Sequence, residues 1–181
     1  MSAARAYLTA MRFLILAALL LAAPALAQSR APAGPRSLGT FQSWTAATHT
    51  ENGVKYCYAF ARATRSEGMP GRTPAQVSLL VTHRPTGRDQ VAIRSGYTYA
   101  RSAELRLSIG ETTLPAYTAQ DSAFLRDGRA AVAAMRGGRE ALARAPGPNN
   151  RGTVSDQFPL AGFSSAYDAI TRECPAPPAR R

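Results

Sequence analysis

The chain has 181 residues, with 22 basic and 11 acidic side chains and a formal charge of +11 at neutral pH. At 45% apolar and 18% charged residues its composition is that of a folded chain, which excludes wholesale disorder. The bases are scattered singly (Arg62, Arg65, Arg72, Arg84, Arg88, Arg94, Arg101, Arg106), with no run of five. That pattern argues against sequence-specific nucleic-acid binding and leaves a general attraction to anionic surfaces.

At the N-terminus, Arg5 and Arg12 precede an unbroken apolar run from Phe13 to Ala23. Pro24 breaks the run, and Ala25-Leu26-Ala27 places small residues where a signal peptidase reads them. This is the three-part pattern of a secretory signal, so residues 1–27 are expected to be removed by cleavage between Ala27 and Gln28. The run is shorter than the roughly 20 residues that cross a bilayer, and no cysteine follows it to carry a lipid. The expected mature form is therefore exported, to the periplasm or the outer surface, without a transmembrane anchor. It would have 154 residues, enough for one domain. Removing Arg5 and Arg12 from the 22 bases leaves 20 against 11 acids, a charge of +9, and Lys55 is the only lysine.

Residues 28–37 read as a flexible leader rich in Pro, Gly and Arg. Thr40 to Thr48, with Phe41 and Trp44, reads as a first strand. Asn52-Gly53 is a hairpin signal leading into a second, Val54 to Ala63. There Tyr56, Tyr58 and Phe60 share one face, with Cys57, Ala59 and Ala61 on the other. Gln76 to His83 and Gln90 to Ser95 follow, joined by Pro85-Thr86-Gly87. Ala103 to Ile109 alternates cleanly and turns at Gly110-Glu111 into Thr112 to Tyr117. The spacing of these short strands predicts an antiparallel sandwich or barrel.

Asp121 to Met135 reads as a helix, split by Gly128, flanked or capped by Asp121 and Asp127, and ended by Gly137-Gly138. Glu140 to Ala145 and Thr153 to Leu160 are read as further strands joined by a Pro/Gly-rich loop. Ser165 to Glu173 is a second helix, with Ser165 and Asp168 as a capping-box-like start. Residues 175–181 read as a disordered tail.

Cys57 and Cys174 stand 117 positions apart. In an oxidising compartment a disulfide is the natural reading; two buried thiols or a redox site are the rivals, and no Cys-x-x-Cys motif supports the last. The only histidines, His49 and His83, fall at strand ends, and no metal-binding, nucleophile-elbow or phosphate-loop motif accompanies them. No catalytic, metal or cofactor-binding residue is assigned. The catalytic alternatives are a Ser–His–Asp site, or a pair of carboxylates, assembled by folding. Arg94, Tyr97, Tyr99 and Arg101 form a candidate ligand surface in which rings stack on, and guanidinium groups neutralise, an anionic ligand. The alternative is that these tyrosines line the rim of the core.

Several short motifs occur in a fixed order: Phe41-x-x-Trp44, Cys57-Tyr58-Ala59, Val81-Thr82-His83-Arg84-Pro85, Gly96-Tyr97 and Leu107-Ser108-Ile109-Gly110. Ala133-Ala134-Met135-Arg136-Gly137-Gly138, Arg151-Gly152-Thr153 and Asp156-x-Phe158-x-Leu160-x-Gly162-Phe163-Ser164-Ser165-Ala166 follow, closed by Cys174. In order and spacing they resemble the invasion-associated locus B family, small secreted proteins of alphaproteobacteria, over roughly Ser37 to Cys174. Gly137 to Asn150 departs from the family's pattern in length and in Pro and Gly content. The resemblance implies a mainly β, immunoglobulin-like antiparallel β-sandwich with two short accessory helices over residues 38–174. It also implies an exported protein associated with host-cell invasion. Within such a fold Trp44 is a core residue, Gly96, Gly110, Gly152 and Gly162 suit turns, and Arg151 and Asp156 form a structural ion pair. The expected function is a secreted, non-enzymatic binding or adhesion module for a host-cell or envelope component, anionic in character. The alternatives are a periplasmic housekeeping or stress protein binding an anionic envelope component, and a hydrolase. No cofactor is implied.

Overall fold

Period-2 alternation of small or aliphatic with polar or aromatic residues drives this chain into strands, which pair in one antiparallel ladder. The computed structural model describes residues 34–177. The expected signal peptide, its cleavage site at Ala25, Ala27 and Gln28, most of the leader and the last four residues lie outside the described residues. The strands are β1 (Arg36–Phe41), β2 (Trp44–Glu51), β3 (Val54–Arg62), β4 (Arg65–Glu67), β5 (Ser78–Arg84) and β6 (Gly87–Arg94). Then come β7 (Glu104–Ile109), β8 (Thr112–Ala119), β9 (Ser122–Leu125), helix α1 (Gly128–Gly137), β10 (Glu140–Pro146), β11 (Thr153–Pro159) and helix α2 (Phe163–Glu173).

The strand order is β1-β2-β3-β5-β6-β9-β8-β7-β10-β11-β4. Its two halves meet at a corner of the chain. Only Ala63 and Thr64 separate β3 from β4. The Ala63 N–H donates to Val77 O (3.1 Å) on the β5 side, and the Thr64 N–H donates to Gln157 O (2.8 Å) on β11. A ladder that leaves β3 through β5 thus returns, through β11, to the chain just beyond β3. Strands that change sheets at such bends are how sandwiches make their corners.

One core fills the space enclosed. Trp44, Leu79 and Ile93 from one half, Leu107 and Phe158 from the other, and Met135, Phe163 and Ile170 from the helices are all buried in a single cluster. The Trp44 ring meets Phe163 edge-on at 4.9 Å, and its indole N–H donates to Pro159 O (2.9 Å). The expected mainly β fold with two accessory helices is observed. Its two faces belong to one continuous ladder, because β9, β8 and β7 carry the pairing from β6 round to β10, and the β3–β4 corner brings the far end back beside β3.

Asn52 and Gly53 both take positive φ (51° and 76°), which is the hairpin turn the dipeptide signals. Three expectations need correction. The strand expected over Thr40 to Thr48 is a hairpin: Gln42 adopts φ 51° without a glycine, and Phe41 pairs back to Trp44. The turn is held from outside by Ser43 N–H to Ala161 O (3.3 Å). It is also held by close packing against Gly162, where a Cβ would lie 1.9 Å from Phe41 O. Second, the helix expected from Asp121 begins only at Gly128, capped by Asp127 Oδ1 accepting from the Ala130 N–H (2.9 Å). Ser122–Leu125 are instead β9, drawn into the ladder between β6 and β8. Third, α2 starts at Phe163, and Asp168 pairs with Arg136 rather than closing a capping box. The expected strands over Glu140 to Ala145 and Thr153 to Leu160 are β10 and β11.

Cys57 of β3 and Cys174, just past α2, form a disulfide with Cα atoms 6.0 Å apart. It anchors the end of the last helix to β3. Closing so long a loop contributes on the order of 4–5 kcal/mol in the chain-entropy account. Replacing Cys57 or Cys174 by Ser is expected to lower the melting temperature by roughly 10 °C, as calorimetry would show. An unchanged melting temperature would mean that α2 is held by packing alone.

Candidate functional site

Arg94, Tyr97, Tyr99 and Arg101 are not brought together as one surface. The Tyr97 and Tyr99 rings are buried, 4.8 Å apart, and the Tyr97 hydroxyl donates to Pro146 O (2.8 Å). Burial pushes both hydroxyls up, that of Tyr99 to about 12. Arg94 points outward from β6 and reaches Asp121 with Nε 3.1 Å from Oδ2, which holds that carboxyl below its ordinary range. Arg101 is exposed in the turn before β7. The tyrosines line the core, as the alternative reading had it.

Beside them lies a buried ion pair that the sequence did not reveal. Arg72 Nη2 sits 2.5 Å from Asp156 Oδ2, its Nε donates to Ser95 O, and its guanidinium lies 5.4 Å over the Tyr97 ring. Asp156 was expected to pair with Arg151. Arg151 is exposed near the start of β11, and the partner is Arg72, 84 positions earlier in the chain. The pair ties β11 to the segment leading into the 3₁₀ turn Pro74–Gln76 and to the end of β6.

Among the described residues, His83 comes nearest to a catalytic arrangement. It is buried, with Nε2 3.1 Å from Thr171 Oγ1 and Nδ1 3.8 Å from Asp89 Oδ1. The order hydroxyl, imidazole, carboxylate resembles a hydrolase triad. The proton is in the wrong place for one. The Asp89 N–H donates to Nδ1 (3.3 Å), so the neutral ring carries its proton on Nε2 and donates to Thr171 instead of accepting from it. Asp89 is itself engaged, accepting from the Tyr167 hydroxyl (2.5 Å). Burial, with Arg88 nearby, lowers the His83 pKa to about 4. His49 sits on β2 with its ring edge-on to Tyr56. Among the described residues no group of three or more His, Cys, Asp and Glu side chains is placed to hold a metal.

The distinctive surface lies on the outer face of β3-β5-β6-β9-β8. The inner face of β3 is small (Cys57, Ala59, Ala61), so Tyr56, Tyr58 and Phe60 are turned outward. Register then aligns a row across five strands: Phe60 opposite Leu80, Leu80 opposite Ala92, Ala92 opposite Phe124, Phe124 opposite Tyr117. Tyr117 is 46% exposed, and the other four are half-buried. Three guanidinium groups rest on rings of this face: Arg62 on Phe60 (5.8 Å), Arg84 on Tyr56 (5.1 Å) and Arg126 on Tyr117 (5.7 Å). Among the described residues no carboxylate pairs with Arg62, Arg84 or Arg88, whereas Arg126 has Glu104 at 3.6 Å.

Shallow clefts run along the face and share members. One of about 460 Å³ is lined by Arg84, Arg88, Gln90, Tyr117, Phe124 and Arg126, among others. A neighbour of about 230 Å³ adds Leu80, Thr82, Ala92 and Arg94. A third, of about 390 Å³, extends past Arg84 and Arg88 to Lys55 and the prolines after Cys174. The opposite outer face, on β4, β11, β10 and β7, differs in kind. Its clefts are lined by mixed charges such as Arg65, Glu67, Glu140 and Arg144, with no aromatic ring.

A family model described as "Invasion associated locus B (IalB) protein" matches residues 44–171. Among curated proteins no sequence matches. A solved structure, the crystal structure of invasion associated protein B from Bartonella henselae, superposes with a TM-score of 0.54. It shares 17% identity, covering 75% of this chain and 95% of that one, a likeness of fold.

The buried histidine sets a pH dependence. An unfolded His83 titrates near its ordinary 6.5 and the folded one at about 4, so between these values the unfolded chain binds more protons. Stability therefore falls as pH is lowered through that window. His83→Gln, which keeps a donor for Thr171, is expected to flatten the melting temperature between pH 6.5 and 4. An unaltered slope would place the acid sensitivity elsewhere.

Proposed function

The chain belongs to the invasion associated locus B family, and from that premise we propose that it is an exported protein that acts by binding. Its arginine-rimmed aromatic face would take an anionic component of a host-cell or envelope surface. The observation that carries this reading is the outer face itself: three guanidinium groups laid on aromatic rings over five strands, with no carboxylate opposite Arg62, Arg84 or Arg88 among the described residues. Aromatic rings on a sheet face are ordinarily covered by another layer, and a row of them left without one is the kind of surface that takes part in interactions. Guanidinium groups held against rings keep their forked donors free for sulfate, phosphate or carboxylate groups.

Export is supported by the signal-like N-terminal pattern and by the Cys57–Cys174 bond, which belongs to oxidising compartments. Among the described residues no helix is long and apolar enough to cross a membrane. An invasion-associated role follows the family. Binding is favoured over hydrolysis because the one histidine beside a hydroxyl and a carboxylate holds its proton on the wrong nitrogen to act as base.

The triple variant Arg84→Glu, Arg88→Glu, Arg126→Glu tests the reading against Arg65→Glu, Arg144→Glu, Arg151→Glu, which alters charge equally away from this face. Retention of the purified protein on phosphatidylglycerol vesicles and on a sulfated dextran film is measured. The first variant is expected to lose at least about tenfold in affinity for the surface that the unaltered protein binds, and the second much less. Equal losses would reduce the interaction to net charge, and no retention of the unaltered protein would remove the reading.

A further inference from the structure

The outer face of β3-β5-β6-β9-β8 has an order beyond its charge. Register places Arg62 opposite Ser78, Ser78 opposite Arg94 and Arg94 opposite Ser122, one row to one side of the Phe60–Leu80–Ala92–Phe124–Tyr117 row. On the other side, Tyr58, Thr82 and Gln90 form the next row, and Arg84, Arg88 and Arg126 lie beyond it. An apolar track thus crosses five strands, with arginines along both edges. Four inter-strand steps make it about 19 Å long. The charge is not fully free: Asp121 faces Arg94 and Glu104 faces Arg126, both pairs exposed, and Arg88 donates from Nη1 to Cys174 O while its neighbour Asp89 accepts from Tyr167.

Resting on the reading above, we propose that this track is a binding site for a linear acidic glycan, a sulfated or uronic-acid oligosaccharide lying across the strands. Three features select this class. The C–H face of a sugar ring is apolar and packs on aromatic and aliphatic side chains, which Phe124, Tyr117 and Leu80 supply. Sulfate and carboxylate groups accept paired hydrogen bonds from guanidinium forks. Successive units of a linear chain turn over, so acidic substituents project to opposite edges, and this face carries arginines on both. A single-stranded nucleic acid runs its phosphates along one edge and its bases along the other. An anionic bilayer is a plane, met best by protruding apolar tips, whereas four of the five residues in this row are half-buried, and Leu80, Ala92 and Phe124 among them line clefts.

Calorimetric titration of the full protein with a heparin-type sulfated hexasaccharide tests this, with cellohexaose, the oligonucleotide dT6 and phosphatidylglycerol vesicles as comparisons. The variants are Arg94→Ala on one edge, Arg84→Ala on the other and Tyr117→Ala on the track, all exposed positions whose melting temperatures are checked against the unaltered chain. Each is expected to weaken hexasaccharide binding by roughly five- to tenfold, and cellohexaose to bind far more weakly. The Tyr117→Ala loss is expected to persist in raised salt while the arginine losses shrink. The assignment is overturned if Tyr117→Ala has no effect or if only one edge matters. It is overturned alone, with the binding reading intact, if vesicles or dT6 bind and the hexasaccharide does not. Absence of binding to every anionic probe ends both.

Discussion

On β3, Cys57, Ala59 and Ala61 face the core while Tyr56, Tyr58 and Phe60 face out. The usual arrangement would bury the larger residues, each of which loses more apolar surface from water. Here the interior is already filled from other elements. Trp44 of β2 and Phe163 and Ile170 of α2 occupy the volume that small side chains on β3 leave open, and all three are fully buried. The Cys57 sulfur reaches Cys174 across the same space. A larger residue at Ala59 or Ala61 would collide with this packing, because interiors are filled to crystal-like density. The aromatic residues on the outside are thus a consequence of how α2 is seated.

That constraint connects to the corner between β3 and β4. The chain must leave β3 and pair with β11 at once, and Arg72 and Asp156 meet in the region this brings together. Both are buried, and removing one partner would leave a charge without compensation, among the costliest changes a core can suffer. Tyr97 and Tyr99, packed beside the pair, complete a polar pocket inside the fold. The same contact, arginine over tyrosine, therefore occurs in two settings: enclosed where Arg72 lies on Tyr97, and on the outer face where Arg126 lies on Tyr117.

What the sequence showed and what it hid divide along the range of the interaction. Alternation on β3 and β7, the Asn52-Gly53 turn and the Gly137-Gly138 helix end are local signals and legible; the Cys57–Cys174 pairing spans 117 positions and is legible only because the chain holds two cysteines. The hairpin at Gln42 was not, because its turn is secured by Ala161 and Gly162, far along the chain. Nor was β9: Ser122–Leu125 has no strand signal of its own and joins the ladder because β6 and β8 present open edges to it. The candidate ligand residues fared the same way. Arg94 lies on the outer face, but Tyr97 and Tyr99 turn inward, and the residues of the proposed surface come from five strands. Only long-range register brings Phe60, Phe124 and Tyr117 into one row, and register is not readable from one strand at a time.

The central claim is that the outer face of β3-β5-β6-β9-β8 is the ligand surface. Its most direct test is an NMR titration that follows arginine Nε–H and aromatic ring signals as dextran sulfate is added. The account predicts shifts concentrated on Arg62, Arg84, Arg88, Arg94 and Arg126, with Tyr117 and Phe124 moving alongside. Shifts spread equally over Arg65, Arg144 and Arg151, with the rings unmoved, would contradict it.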